Sequence, residues 1–231
     1  MKKVISFGIW GSNPTYTLGA IRVAEQAKEM YPDFECWFYI HTESVPKDIV
    51  SKLEKMSNTK IIYKSGDLSK GTCTPMMWRF EAIDDPEVSI MLSRDTDTKF
   101  LKREILAVQE WLASDCVFHI MRDHPHHTFP ILGGMFGTRK IPQIPNWSEK
   151  MSSVIKKSDR MYDQDFLKDC VYPVVKENSM IHATFHKYES QAKNFPIDYD
   201  DELRFVGEYV YHDESRSNSH VAVLKHIIGK K

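Results

Sequence analysis

The sequence is poor in the residues that would staple or anchor it. Its four cysteines, Cys36, Cys73, Cys116 and Cys170, are scattered along 231 residues. They form no Cys-x-x-Cys pair, which argues against a disulfide frame or zinc site and for reduced thiols of a cytosolic-type compartment. No apolar stretch approaches the ~20 residues that cross a bilayer. The opening MKKVISFGIWGSN has two lysines before an apolar run, but that run is shorter than a signal core of roughly 7 to 15 residues, and no small-residue cleavage site follows. It reads as a first strand, and the expected location is cytoplasmic. Neither sign of charge dominates, with 31 Lys and Arg against 32 Asp and Glu, so no general pull towards nucleic acid is implied. The slightly basic run from Lys225 to Lys231 reads as a solvated tail. Internal repeats, low-complexity segments and a domain boundary are also missing, so one domain over residues 1–231 is expected.

What is there centres on VSIMLSRDTDTKF, Val88 to Phe100. The apolar run Val88–Leu92, preceded by Asp84, Asp85 and Pro86, has the length of a buried strand. Residues two apart in extended chain point to the same side, so Asp95 and Asp97 present two carboxylates together just past the strand's end. Open α/β sheets bind ligands there. Many Asp-x-Asp pairs are only solvated turns; the strand in front of this one favours a site. Two carboxylates with no soft ligand beside them suit a hard divalent cation, Mn2+ or Mg2+, shared with phosphate oxygens. Arg94 adds a fork of donors for phosphate or a sugar hydroxyl.

Around this stretch, apolar and helical patterns alternate. Val4–Trp10, Phe34–Ile40 and Lys60–Tyr63 read as strands, separated by a polar loop Gly11–Thr17, a helix Leu18–Tyr31 and a second helix opening at Ser44–Pro46. Strands alternating with helices argue for βαβ units and a mostly parallel sheet, hence an α/β fold. Lys64–Thr74 reads as a loop and Pro75–Ile83 as a helix whose Met76, Met77, Trp78 and Phe80 are core, with Arg79 facing the phosphate region. Arg103–Ala113 is a further helix and Cys116–Ile120 a strand. The loop Met121–Pro130 holds His124, His126 and His127, but Pro125 divides them and the i,i+4 zinc pair is missing. Substrate binding by this Arg-containing loop fits better. ILGGMFG, Ile131–Gly137, matches neither a dinucleotide fingerprint nor a phosphate loop. Its glycines mark a place where backbone and ligand come close. Lys140–Trp147 reads as a Pro-rich surface connection, Met161–Cys170 as a helix start carrying Asp163 and Asp165 as caps or site groups, and Ser179–Phe185 as a strand with His182.

The order of these features resembles the small, metal-dependent GT-A glycosyltransferases, family-8-like, of the kind found in bacterial and large-virus glycan pathways. The resemblance covers residues 4 to 185. It implies a Rossmann-like, mixed and mostly parallel sheet flanked by helices, with a nucleotide-sugar donor bound at the first strands by Phe7, Gly8 and Trp10. It implies that Ser93-Arg94-Asp95-Thr96-Asp97 holds Mn2+ (or Mg2+) against the diphosphate. Arg79 and Arg94 would steady the diphosphate, Gly133 and Gly134 would admit the sugar, and Asp163, Gln164 and Asp165 would serve the reacting sugar. Uridine diphosphate is the preferred carrier, with guanosine and thymidine forms open, and a hexosyl-type transfer with retention is implied. A glycan acceptor would meet Arg122, Asp123 and His124. One departure is the missing Lys-Pro-Trp segment whose histidine completes the metal site in that family; His182 is the first substitute and His212 the second. A catalytically inactive glycan-binding protein on the same fold and a metal-dependent phosphatase are the alternatives, although Ser93 and Arg94 interrupt the apolar run that such phosphatases carry into their first Asp. Oligomeric state is open.

Overall fold

A computed structural model of the chain describes residues 1–66, 68, 74–154 and 162–229. Most of the expected loop Lys64–Thr74, including Cys73, lies outside the described residues, as do Met161, Lys230 and Lys231. The first third is built as expected. β1 (Lys2–Ile9), α1 (Pro14–Met30), β2 (Phe34–His41), α2 (Lys47–Glu54) and β3 (Thr59–Lys64) follow one another, and the strands pair in parallel with Phe7 beside Phe38 and Tyr39 beside Ile62. One expected loop is half helix. Asn13 caps α1 by accepting the Thr15 N–H at 3.0 Å, and Pro14, which lacks an N–H to satisfy, fills the first helical position. Ala20, Val23, Ala24 and Ala27 form the buried stripe of α1.

The expected helix before the carboxylate strand is split into α3 (Thr74–Trp78) and a tighter 3-10 stretch, Arg79–Asp84. β4 (Val88–Arg94) then pairs in parallel with β1, Ser93 opposite Ser6. After α4 (Lys102–Leu112) and β5 (Phe118–Arg122) the chain reverses into β6 (Met135–Arg139), which inserts between β4 and β5 and runs antiparallel to both. α5 (Trp147–Val154), α6 (Tyr162–Phe166), a wide turn at Leu167–Val171 and α7 (Tyr172–Val175) lead to β7 (Ser179–Ala183), parallel to β5. The expected tail begins inside α8 (Asn218–Ile228), which buries Leu224 and leaves Lys225 and His226 exposed.

The resulting seven-stranded sheet has the order β3-β2-β1-β4-β6-β5-β7. Side chains alternate across it, so Val4, Trp37, Tyr39 and Phe136 enter one core while Ile5, Phe7, Phe38 and Ile40 enter the other. Burial on both faces explains why the strands read as nearly continuous apolar runs. The chain leaves β1 in one direction through β2 and β3 and returns to its other side as β4. That reversal opens a crevice at the carboxyl ends of β1 and β4. Among the described residues, no helix is long and apolar enough to cross a membrane.

Candidate functional site

The crevice is a cleft of about 590 Å³ lined by the end of β1 and the start of α1 (Gly8, Trp10, Asn13, Tyr16), by Met76 and Arg79, and by Asp95, Thr96 and Asp97 past β4. Two close approaches shape it. A Cβ on Gly8 would lie 2.8 Å from the Pro75 carbonyl oxygen, and one on Gly19 would overlap the Thr96 carbonyl, so glycines let α3 and α1 close directly on the strand ends.

Arg79 is the centre of the charged cluster. Its side chain is only 7% exposed, and it pairs through Nη1 with Asp95 Oδ1 and through Nη2 with Asp163 Oδ2 at 3.4 Å. It also donates to the Arg94 carbonyl oxygen at 3.2 Å. Burial alone would lower the guanidinium pKa; the charges of Asp95 and Asp163 outweigh it and raise it. Asp163 accepts the Gln164 N–H at 2.9 Å, and burial pushes its carboxyl up against the opposing pull of Arg79. Asp97 is pushed up to about 7, by burial first and by the neighbouring Asp95 charge second. Arg79 Nε and Gln164 Oε1 are buried without a partner among the described residues.

The antiparallel register explains the two glycines. Met135 lies opposite Arg94, which brings Gly134 against Asp95 and Gly133 against the Arg79–Asp163 pair. A Cβ on Gly134 would overlap Asp95 Oδ2; one on Gly133 would overlap Asp163 Oδ2 and lie 2.6 Å from Arg79 Nη2. Ser93 Oγ fixes this turn by donating to the Gly133 carbonyl oxygen at 2.6 Å. The space expected for a sugar beside these glycines is therefore taken by carboxylates.

Several expected site residues are elsewhere. Phe7 is fully buried and stacks on Phe38 with centroids 4.8 Å apart, because in a strand it must face away from its neighbour Gly8. Arg94 is the last residue of β4 and turns under the sheet, where its Nε meets Glu104 at 2.7 Å and its Nη1 the Phe136 carbonyl oxygen at 2.8 Å. It has no line to the cleft. The expected acceptor residues are structural, since β5 extends to Arg122 in register with Ala183 of β7. Arg122 pairs with Glu189. Asp123 binds Arg103 at 2.9 and 3.0 Å, Thr184 at 2.7 Å and the Val206 N–H at 2.9 Å. His124 is held at 3.0 Å by the His220 carbonyl oxygen and stacks on Phe205.

His182 cannot complete a metal site at Asp95. It sits on β7, beyond β6 and β5 in the sheet order, fully buried, with Nδ1 at 2.9 Å from His119 Nε2 and Nε2 at 3.0 Å from Glu110 Oε2. His212 is exposed. Among the described residues, no group of three or more His, Cys, Asp or Glu is arranged to hold a metal. The donor set at Asp95 and Asp97 nevertheless fits a hard cation that takes two protein carboxylates and its other oxygens from a ligand and water. Of the Asp163-Gln164-Asp165 segment, which opens α6, it is Asp163 that joins the Arg79–Asp95 pair.

Cleft residues that the sequence reading did not assign to the site are Ile9, Gly11, Ser12, Asn13 and Tyr16, and Met76, expected in the core, lines the cleft as well. The Asn-Pro pair at positions 13 and 14 was the available signal, because it marks a helix start beside a strand end.

No family model matches the chain, and no curated protein is similar to it in sequence. A solved structure is similar in fold: that of a glycosyltransferase involved in the glycosylation of the major capsid of PBCV-1, with a TM-score of 0.51 and 13% identity over 79% of this chain and 82% of the other. The chain thus has an α/β fold, a mixed and mostly parallel sheet flanked by helices, like that of a GT-A glycosyltransferase.

Proposed function

We propose that the chain is a glycosyltransferase that moves a sugar from a nucleoside-diphosphate donor, preferably uridine diphosphate, to a hydroxyl of a glycan acceptor. The observation that carries this reading is the meeting of Arg79, Asp95 and Asp97 at one cleft, at the carboxyl ends of β1 and β4, with Asp163 buried behind Arg79 and paired to it. Asp95 and Asp97 would hold Mn2+ or Mg2+, which when bound would offset the charge developing on the leaving diphosphate. Arg79 would then be shared between the carboxylates and the phosphate, adding donors where that charge forms. Trp10 and Tyr16, each more than a third exposed on the cleft wall, offer ring faces to the nucleoside.

Asp163 would stabilise positive character on the sugar during transfer, with Gln164 and Asp165 binding its hydroxyls. Its near-complete burial behind Arg79 leaves it little access to an incoming hydroxyl, which supports retention over a general-base inversion.

Calorimetric titration of uridine diphosphate with and without Mn2+ tests the reading. Binding is expected to need the metal and to be lost in the Asp95→Ala/Asp97→Ala double variant. Absence of binding by any nucleoside diphosphate under any metal condition would remove the proposal's basis and leave the glycan-binding and phosphatase readings.

A further inference from the structure

With Arg122, Asp123 and His124 buried and held by Glu189 and the Pro130 carbonyl oxygen, by Arg103 and by the His220 carbonyl oxygen, the acceptor needs another surface, one that adjoins the donor cleft. The chain between Phe205 and Arg216 supplies it. Phe205 and Val206 are buried anchors, and Gly207, at φ +76, turns the backbone where a Cβ would overlap Met135. The next residues lie directly against the Asp97 turn. The Val210 N–H donates to the Asp97 carbonyl oxygen at 2.8 Å. Arg22 of α1 donates to the carbonyl oxygens of Val210 and Tyr211 at 3.3 and 3.0 Å.

Val210 points inward, 2% exposed, while Tyr209 beside it is half-buried and Tyr211 exposed. Their rings meet edge to face with centroids 4.8 Å apart. Tyr211 is 40% exposed, and Tyr16, which lines the donor cleft, is 38% exposed. Burial first, then Asp97 and Tyr209, push the Tyr16 phenol up to about 12.

We propose that Tyr209 and Tyr211, continuing the wall begun by Tyr16, form the platform on which the acceptor saccharide lies. This rests on the reading of the cleft as a sugar-donor site. A pyranose ring has an apolar C–H face that packs on an aromatic face and hydroxyls at its edge that pair with phenols; tyrosine offers both an apolar body and a polar tip. The charges around the platform select a neutral sugar. Arg22 and Lys99 are engaged by Glu214, and Arg216 by Glu208, while Asp213 is exposed. A phosphorylated or carboxylated acceptor would therefore find Arg22, Lys99 and Arg216 already paired among the described residues and would meet Asp213.

Saturation-transfer NMR with a panel of methyl pyranosides (glucoside, galactoside, mannoside, rhamnoside), read beside the uridine diphosphate titration, tests this. The wild type is expected to show transfer to the ring protons of at least one glycoside. Tyr211→Ala should weaken that binding roughly tenfold, the size expected for one lost aromatic contact, and Tyr211→Trp should restore it. Uridine diphosphate binding should be the same in all three proteins, which also shows that the variants fold. Glycoside binding equal in wild type and Tyr211→Ala, or no binding of any panel member by a wild type that does bind uridine diphosphate, would overturn the platform. Tyrosine-dependent glycoside binding without nucleotide binding would uphold the platform and sink the donor reading instead.

Discussion

At the scale of single residues, the site depends on what glycine leaves out. Gly134 faces Asp95 because β6 runs antiparallel to β4, and the volume of a missing Cβ is occupied by the Asp95 carboxylate. Gly134→Ala must therefore push Asp95 off Arg79. The expected result is at least a tenfold loss of metal-dependent uridine diphosphate affinity in calorimetry, at a stability cost of about 1–3 kcal/mol, the usual range for overpacking, read by urea unfolding. A loss of affinity with no change in stability would still fit displacement; unchanged affinity would show that Asp95 is not held where the metal is needed. The sequence made part of this legible. Asp95 and Asp97 both line the cleft as expected, although Thr96 and Asp97 form a turn in place of the extended chain that the alternation rule assumed. The same alternation rule, applied one step further, would have removed Phe7 and Arg94, since neither can share a face with its neighbour Gly8 or Asp95. What spacing could not supply was Asp163, whose partner Arg79 is distant in sequence and is brought to it only by packing.

At the scale of elements, buried ion pairs fasten the sheet to its cover. Arg94 on β4 meets Glu104 on α4, with the Tyr31 hydroxyl donating to the same carboxylate at 3.2 Å, and Arg103 on α4 meets Asp123 just past β5. The first pair explains why Arg94, expected as a ligand donor, is turned inward. Removing one partner strands the other: Glu104→Ala is expected to cost about 3–5 kcal/mol. In the Arg94→Met/Glu104→Leu double variant, part of that loss should return, because no charge is left buried. Equilibrium urea unfolding of the two variants checks this, and equal losses in both would mean that packing, not the stranded charge, sets the cost. The elements themselves were legible where a local pattern controls them, as in β1 to β3 with α1 and α2. The register of β5 was not, because its extension to Arg122 depends on pairing with β7 across a long intervening stretch. α8 was hidden for a similar reason: its basic residues suggested a tail, whereas Leu224 and the contact of His124 with the His220 carbonyl dock it against the rest of the chain.

At the scale of the whole molecule, stability should follow the buried histidines more than net charge, which is only -1. His182 is lowered to about 4, chiefly by burial, while the neighbouring Glu110 carboxylate opposes the shift and Lys193 and Arg103 reinforce it. His119, its hydrogen-bond partner, is lowered too, by burial and by His182, Arg94 and Lys193. His127 is lowered to about 3, by burial and by the surrounding histidines. In each case the unfolded chain takes up a proton near pH 6.5 while the folded chain resists it. The unfolded state therefore binds more protons below pH 6.5, and stability falls as pH drops from about 6.5 towards 4. For His182 alone the shift corresponds to an effect on the order of 3 kcal/mol at the bottom of that window. His182→Asn is expected to be less stable than wild type at pH 7.5, having lost its contacts with His119 and Glu110. It should also show a smaller further loss between pH 7.5 and 4.5. Urea unfolding of both proteins at the two pH values measures this difference of differences. If the acid loss is the same with and without the imidazole, protonation at His182 is not what opens the far edge of the sheet, and His119 and His127 become the groups to replace next.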